Sequence, residues 1–219
     1  MGRIVCRVVA CVPPWEVDPS CTTANAQDDG TAQQNEPCWT SAFPTPRPPP
    51  CNSPATNCQT ISMAPTSDGN GYGILTSFGK LFAYGDFPND GDESSAVLAR
   101  PMVGMAATPS GKGYWLVAAD GGIFAFGDAP FFGSMGAHPL NQPIVGMAAT
   151  PSGNGYWLVA ADGGIFAFGD APFHGSMGGR PLAKPIVGMA PYSPQSGYWL
   201  VAQDGGIFSF GAPFLGSPA

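Results

Sequence analysis

From residue 61 onward, apolar residues come in short runs cut by Gly, Pro and Asp, and no stretch keeps the spacing of an amphipathic helix. The segment 145–186 shows the pattern most clearly. A run at 144–149 (IVGMAA) precedes a Pro-Ser-Gly-Asn-Gly turn, and a second at 156–161 (YWLVAA) precedes Asp162-Gly163-Gly164. Asp-Gly between two apolar runs is a hairpin signal, because glycine accepts the positive φ that the tightest turns require. A third run, 165–168 (IFAF), is closed by Gly169-Asp170-Ala171-Pro172, and 173–177 reads as a weaker fourth strand.

In the 156–161 run, Tyr156, Leu158 and Ala160 point to one side, and Trp157, Val159 and Ala161 to the other. Both sides are apolar, so this strand must be covered on both faces. The Val-Gly-Met-Ala-Ala run has the smallest side chains and belongs innermost, where Gly146 permits close approach of a neighbouring backbone.

The pattern repeats. Tyr72, Tyr114, Tyr156 and Tyr198 are 42 residues apart, as are Met63, Met105, Met147 and Met189, and Phe82, Phe124, Phe166 and Phe208. Repeats 103–144 and 145–186 differ at six of 42 positions: Lys112/Asn154, Phe132/His174, Ala137/Gly179, His138/Arg180, Asn141/Ala183 and Gln142/Lys184. Repeat 61–102 is diverged and 187–219 truncated. A period of ~40–50 residues built from short strands predicts an all-β chain of β-propeller blades, in preference to a β-solenoid or stacked hairpins. Four blades of 42 residues, over 61–219, are expected to close into a rigid disc.

The segments Gly155-Tyr156-Trp157-Leu158-Val159-Ala160, Asp162-Gly163-Gly164-Ile165-Phe166 and Phe168-Gly169-Asp170-Ala171 resemble a tandem repeat of secreted bacterial proteins, actinobacterial ones above all. The resemblance covers about 61–219. It implies propeller-like blades and export, often beside cell-wall or hydrolytic domains. No such catalytic domain is found in this chain, and the resemblance does not reach residues 1–60.

Composition narrows the function classes. The net charge is −7 with eight Lys and Arg, so no basic cluster exists to displace counterions from nucleic acid. No apolar run approaches the ~20 residues that span a bilayer. All six cysteines (Cys6, Cys11, Cys21, Cys38, Cys51 and Cys58) lie in the first 58 residues, with no histidine there to complete a zinc site. Three structural disulfides are the expected use, which places the protein in an oxidising, extracellular or cell-surface compartment. Six cysteines allow 15 pairings, and all stay open. The run 3–12 is apolar but carries Arg7, unlike a secretory leader, so export is expected through a segment ahead of Met1 or by another route.

Candidate chemistry is sparse. Asp120, Asp162 and Asp204 recur at one repeat position and Asp86, Asp128 and Asp170 at another; each set could rim a cation, but Asp before Gly is ordinary turn chemistry. Asp86, Asp90, Asp92 and Glu93 form a weak calcium candidate, without the closing Glu of an EF-hand loop. The histidines, His138 and His174, sit at positions that vary between near-identical repeats, and Glu93 is the only Glu of the repeat region. No nucleophile–base set is present, so no enzyme and no cofactor are expected. Trp115, Trp157 and Trp199 could form a sugar platform, but their strand reads as core. Phe132, His174 and Leu215 share a variable position and are the rim-contact candidates, although loop drift explains them equally well.

Residues 1–60 read as an extension. A strand over 3–12 would carry Ile4, Val5, Val8 and Val9 as an assembly or edge strand. The Pro-rich 43–50 (FPTPRPPP) favours polyproline II, a stiff spacer. An arm and a ring with exposed edges suggest donation of a strand to a neighbouring copy, hence a homopolymer or filament; folding back in cis is the alternative. The expected function is therefore a secreted, self-assembling structural protein. The alternative is a lectin-like module binding carbohydrate or cell-wall glycan.

Overall fold

A computed structural model describes residues 59–193 and 196–218. The expected arm strand (Ile4, Val5, Val8, Val9), the six cysteines and the Pro-rich spacer lie outside the described residues.

Among the described residues, twelve strands form four three-stranded antiparallel sheets, one per repeat. The first contains β1 (Thr60–Pro65), β2 (Gly71–Thr76) and β3 (Leu81–Gly85), and the second β4 (Met102–Ala107), β5 (Gly113–Ala118) and β6 (Ile123–Gly127). The third contains β7 (Ile144–Ala149), β8 (Gly155–Ala160) and β9 (Ile165–Gly169), and the fourth β10 (Ile186–Tyr192), β11 (Gly197–Ala202) and β12 (Ile207–Phe210). Within each sheet the strands pair in chain order as a meander. Each first pairing carries a bulge at the same repeat position, between Thr60 and Ser62, Met102 and Gly104, Ile144 and Gly146, and Ile186 and Gly188.

The hairpins follow from their turn residues. Asp120 Oδ1 accepts the Gly122 N–H at 3.0 Å, Asp162 that of Gly164 at 2.9 Å, and Asp204 that of Gly206 at 3.1 Å. The intervening Gly121, Gly163 and Gly205 hold φ of 80°, 77° and 90°, where a side chain would be strained. The segment 173–177 is not a strand. Gly175 there holds φ 122°, its Met177 N–H goes to the Gly163 carbonyl, and the chain crosses onto the next sheet instead of pairing with β9.

Consecutive sheets pack through their first strands, β1 on β4, β4 on β7 and β7 on β10. A Cβ on Gly104 would sit 3.3 Å from the Val117 side chain and 3.5 Å from the Gly146 backbone, so neighbouring first strands run close together there. All four first strands line one hollow of about 540 Å³. Strands β5 and β8 are buried at every position, as two apolar faces require.

The row does not close. Among the described residues, no strand of the first sheet packs on the fourth as neighbours pack on each other. Tyr72 is 42% exposed, whereas Tyr114, Tyr156 and Tyr198 are fully buried. The structure therefore shows four stacked sheets around a shared hollow, an open row where a closed disc is expected.

Candidate functional site

The joint between neighbouring sheets is built from the same parts each time. In the joint of the second and third sheets, Trp115 on β5 lies 5.7 Å from Tyr156 on β8. The Trp115 indole N–H donates to the Pro130 carbonyl at 2.8 Å, so the ring is buried without an orphaned donor. The loop after β6 then clamps Tyr156: its hydroxyl donates to the Gly133 carbonyl at 2.6 Å and accepts the Phe132 N–H at 3.1 Å. Phe132 covers the same ring at 5.7 Å. Gly133, at φ 131°, leaves no room for a side chain, because one would meet the Phe168 ring at 2.7 Å.

The joint of the third and fourth sheets repeats this geometry. Trp157 lies 5.5 Å from Tyr198, whose hydroxyl is held by the Gly175 carbonyl at 2.7 Å and the His174 N–H at 3.1 Å. Burial raises the hydroxyl pKa of Tyr156 and Tyr198, and pushes that of Tyr114 up to about 12.

The first joint swaps volumes. Gly73 stands where the other repeats have tryptophan, and Phe87 where they have Ala129 and Ala171. Phe87 fills the space: a Cβ on Gly73 would sit 2.7 Å from its ring, and the ring lies 5.4 Å from Tyr114. The Tyr114 hydroxyl again donates to the preceding loop, at Gly91.

Each end of the row presents half a joint. On the first sheet, Tyr72 stacks on Tyr84 at 5.2 Å, as Tyr114 stacks on Phe126 at 5.2 Å, but both tyrosines are exposed and the Tyr72 hydroxyl has no partner among the described residues. On the fourth sheet, the half-buried Trp199 keeps its bond to the Pro213 carbonyl at 2.8 Å. Beyond it, Gly216 holds φ 123°, close to the 131° of Gly133 and the 122° of Gly175. Where those glycines meet the next sheet's aromatic ring, Gly216 meets nothing within 4 Å, and Leu215 is 82% exposed.

The other sequence candidates separate. Asp128 accepts hydrogen bonds from Thr108 at 3.0 Å and Ser110 at 2.6 Å; Asp170 accepts equivalent bonds from Thr150 and Ser152, and Asp86 one from Thr66. These bonds bracket the turn after each first strand. The fourth sheet has lost both partners together, with Tyr192 in place of the threonine and the aspartate deleted. In the acidic loop, Asp92 pairs with Lys80 at 2.8 Å and accepts the Ser94 N–H at 3.0 Å. Burial opposes its charge, but Lys80 and Ser94 outweigh burial and hold the Asp92 carboxyl below its ordinary value. Burial, then the Asp92 charge, raises that of Glu93. Among the described residues, no three His, Cys, Asp or Glu side chains gather to hold a metal, so Asp86, Asp90, Asp92 and Glu93 are not brought together as a calcium site. Trp115 and Trp157 are fully buried core. Phe132 and His174 cover the next sheet's tyrosine, while their counterpart Leu215 is exposed.

The tyrosine clamp and its unpaired halves at Tyr72 and Gly216 escape the sequence reading. Their one signal is that Phe132, His174 and Leu215 precede an invariant glycine of the repeats, Gly133, Gly175 and Gly216.

No family model and no curated protein sequence matches the chain. Among solved structures it is similar to the β-propeller domain of Myceliophteria thermophila Cps50 (Swd1), at 12% identity and a TM-score of 0.48 over 72% of this chain and 53% of that one. The chain thus spans about half the length of that domain.

Proposed function

We propose that the protein is a secreted, non-enzymatic structural subunit that assembles with copies of itself at the bacterial cell surface, and that its sheets are propeller blades. The observation that carries this reading is the contrast between interior and end faces. The central strands β5 and β8 of the interior sheets are buried on both faces, whereas the row ends on Tyr72 and Tyr84 at one side and on Trp199 and Leu215 at the other. Apolar sheet faces of this kind mark interaction surfaces. The N-terminal arm, with Ile4, Val5, Val8 and Val9, adds a strand to a neighbour in this reading, and the six cysteines staple it in an oxidising compartment.

Sedimentation velocity of the full chain across a hundredfold concentration range, with negative-stain microscopy, tests the assembly. Concentration-dependent oligomers or filaments are expected, and a monomer throughout overturns the reading.

A second reading, a lectin-like module for carbohydrate or cell-wall glycan, is favoured by one feature. A groove lined by Arg100, Asp120, His138, Leu140, Asn141 and Gln142 contains three of the six positions at which the central repeats differ. A cell-wall pull-down that is lost in Asp120→Ala would move the assignment there.

A further inference from the structure

We infer that the two ends of the row are plug and socket for each other, so that the first sheet of one copy docks on the fourth sheet of a second copy through the joint already used inside the chain. This rests on the self-assembly reading and names its contact. The plug is Tyr72, which stacks on Tyr84 as its buried equivalent Tyr114 stacks on Phe126. The socket is Trp199 with the Leu215 N–H and the Gly216 carbonyl, the counterparts of the groups that clamp Tyr156 and Tyr198.

Three observations argue for a second copy as the occupant. First, the surface continues an interface this chain makes three times over, with a tyrosine from the following sheet in every clamp. Second, the socket keeps its working shape while empty: Gly216 holds the clamp's φ of 123° and Trp199 is already anchored to Pro213. Third, the chain's own plug does not fill it, since among the described residues no strand of the first sheet packs on the fourth as neighbouring sheets pack on each other. A contact of this type is heterologous, because plug and socket are different surfaces, and each docked copy leaves one of each free.

The two halves can be disabled separately in the full chain. Tyr72→Ser removes the plug and Leu215→Glu places a charge at the rim of the socket; both positions are exposed, so the fold is expected to survive, and circular dichroism checks it. Each variant alone is expected to sediment as a monomer or to lose at least tenfold in association. Mixed one to one, they are expected to form a heterodimer that does not grow, because the intact socket of the first meets the intact plug of the second. Tyr72→Phe, which keeps the ring and loses the hydroxyl, is expected to weaken association about tenfold, the scale of one hydrogen bond.

If the wild type assembles and neither variant changes it, the copies meet elsewhere, through the arm for example, and this contact is overturned while the self-assembly reading stands. If both variants weaken assembly but the mixture yields no heterodimer, the head-to-tail pairing is overturned. A wild type that stays monomeric removes both.

Discussion

The second and third sheets share nearly one sequence with the fourth through the strand Gly-Tyr-Trp-Leu-Val-Ala, yet the strand behaves differently at its two locations. In β5 and β8 every position is buried; in β11, Trp199 and Val201 are not. The residues are the same and only the neighbour differs. A strand with two apolar faces stabilises the fold in proportion to the area its neighbours cover. The end sheets therefore contribute less than the central ones, and what they leave uncovered is available for contact.

The largest expected break of this comparison is at tryptophan. Trp157→Ala should destabilise the fold by about 3–5 kcal/mol, as large core truncations do. Trp199→Ala, half-buried, should cost roughly half as much in dilute monomer. Urea unfolding of the two variants checks this; equal losses would show that the fourth sheet is as well covered as the third.

The first joint sharpens the comparison by a swap. Gly73→Trp should destabilise by about 1–3 kcal/mol through overpacking against Phe87, and Phe87→Ala by about 3–5 kcal/mol through a cavity. The double variant recreates the Trp/Ala pairing of the other joints and should cost less than the sum. A double-mutant cycle without coupling would show that the two side chains do not share one space.

Next is the turn bracket. Thr150→Val should cost about 1–3 kcal/mol, because the Asp170 carboxylate and the Gly155 carbonyl lose their hydroxyl partner. The fourth sheet has no such bracket, so Tyr192→Thr should restore nothing while the aspartate is missing. Thermal unfolding of both variants measures the contrast.

Alkaline pH tests the buried tyrosines. Their folded pKa is raised, so folding favours the neutral hydroxyl. The stability from this source is fully present below about pH 10, the unfolded value, and is lost as pH rises toward about 12. Urea midpoints should fall across that window, and Tyr114→Phe should flatten the fall.

The smallest effect is expected at Ser209, whose buried hydroxyl has no partner among the described residues and whose counterparts are Ala125 and Ala167. Ser209→Ala should be neutral or stabilise by up to about 1 kcal/mol.

Much of the fold is written locally. The 42-residue spacing, the Asp-Gly hairpins and the doubly apolar central strand determine four similar sheets, because turn geometry and side-chain alternation act over a few residues. The spare aspartates are equally local, as hydrogen bonds to Gly122, Gly164 and Gly206 show. What sequence alone could not decide is which neighbour each sheet meets. The turn from one sheet to the next is set by side-chain volumes meeting across a joint, such as Gly73 with Phe87, and small differences accumulate along the row. Only the tertiary structure decided that 173–177 crosses to the next sheet to clamp a tyrosine, and that the row stays open. Only there do Tyr72 and Gly216, ordinary repeat positions in the sequence, become the two halves of an unmade joint.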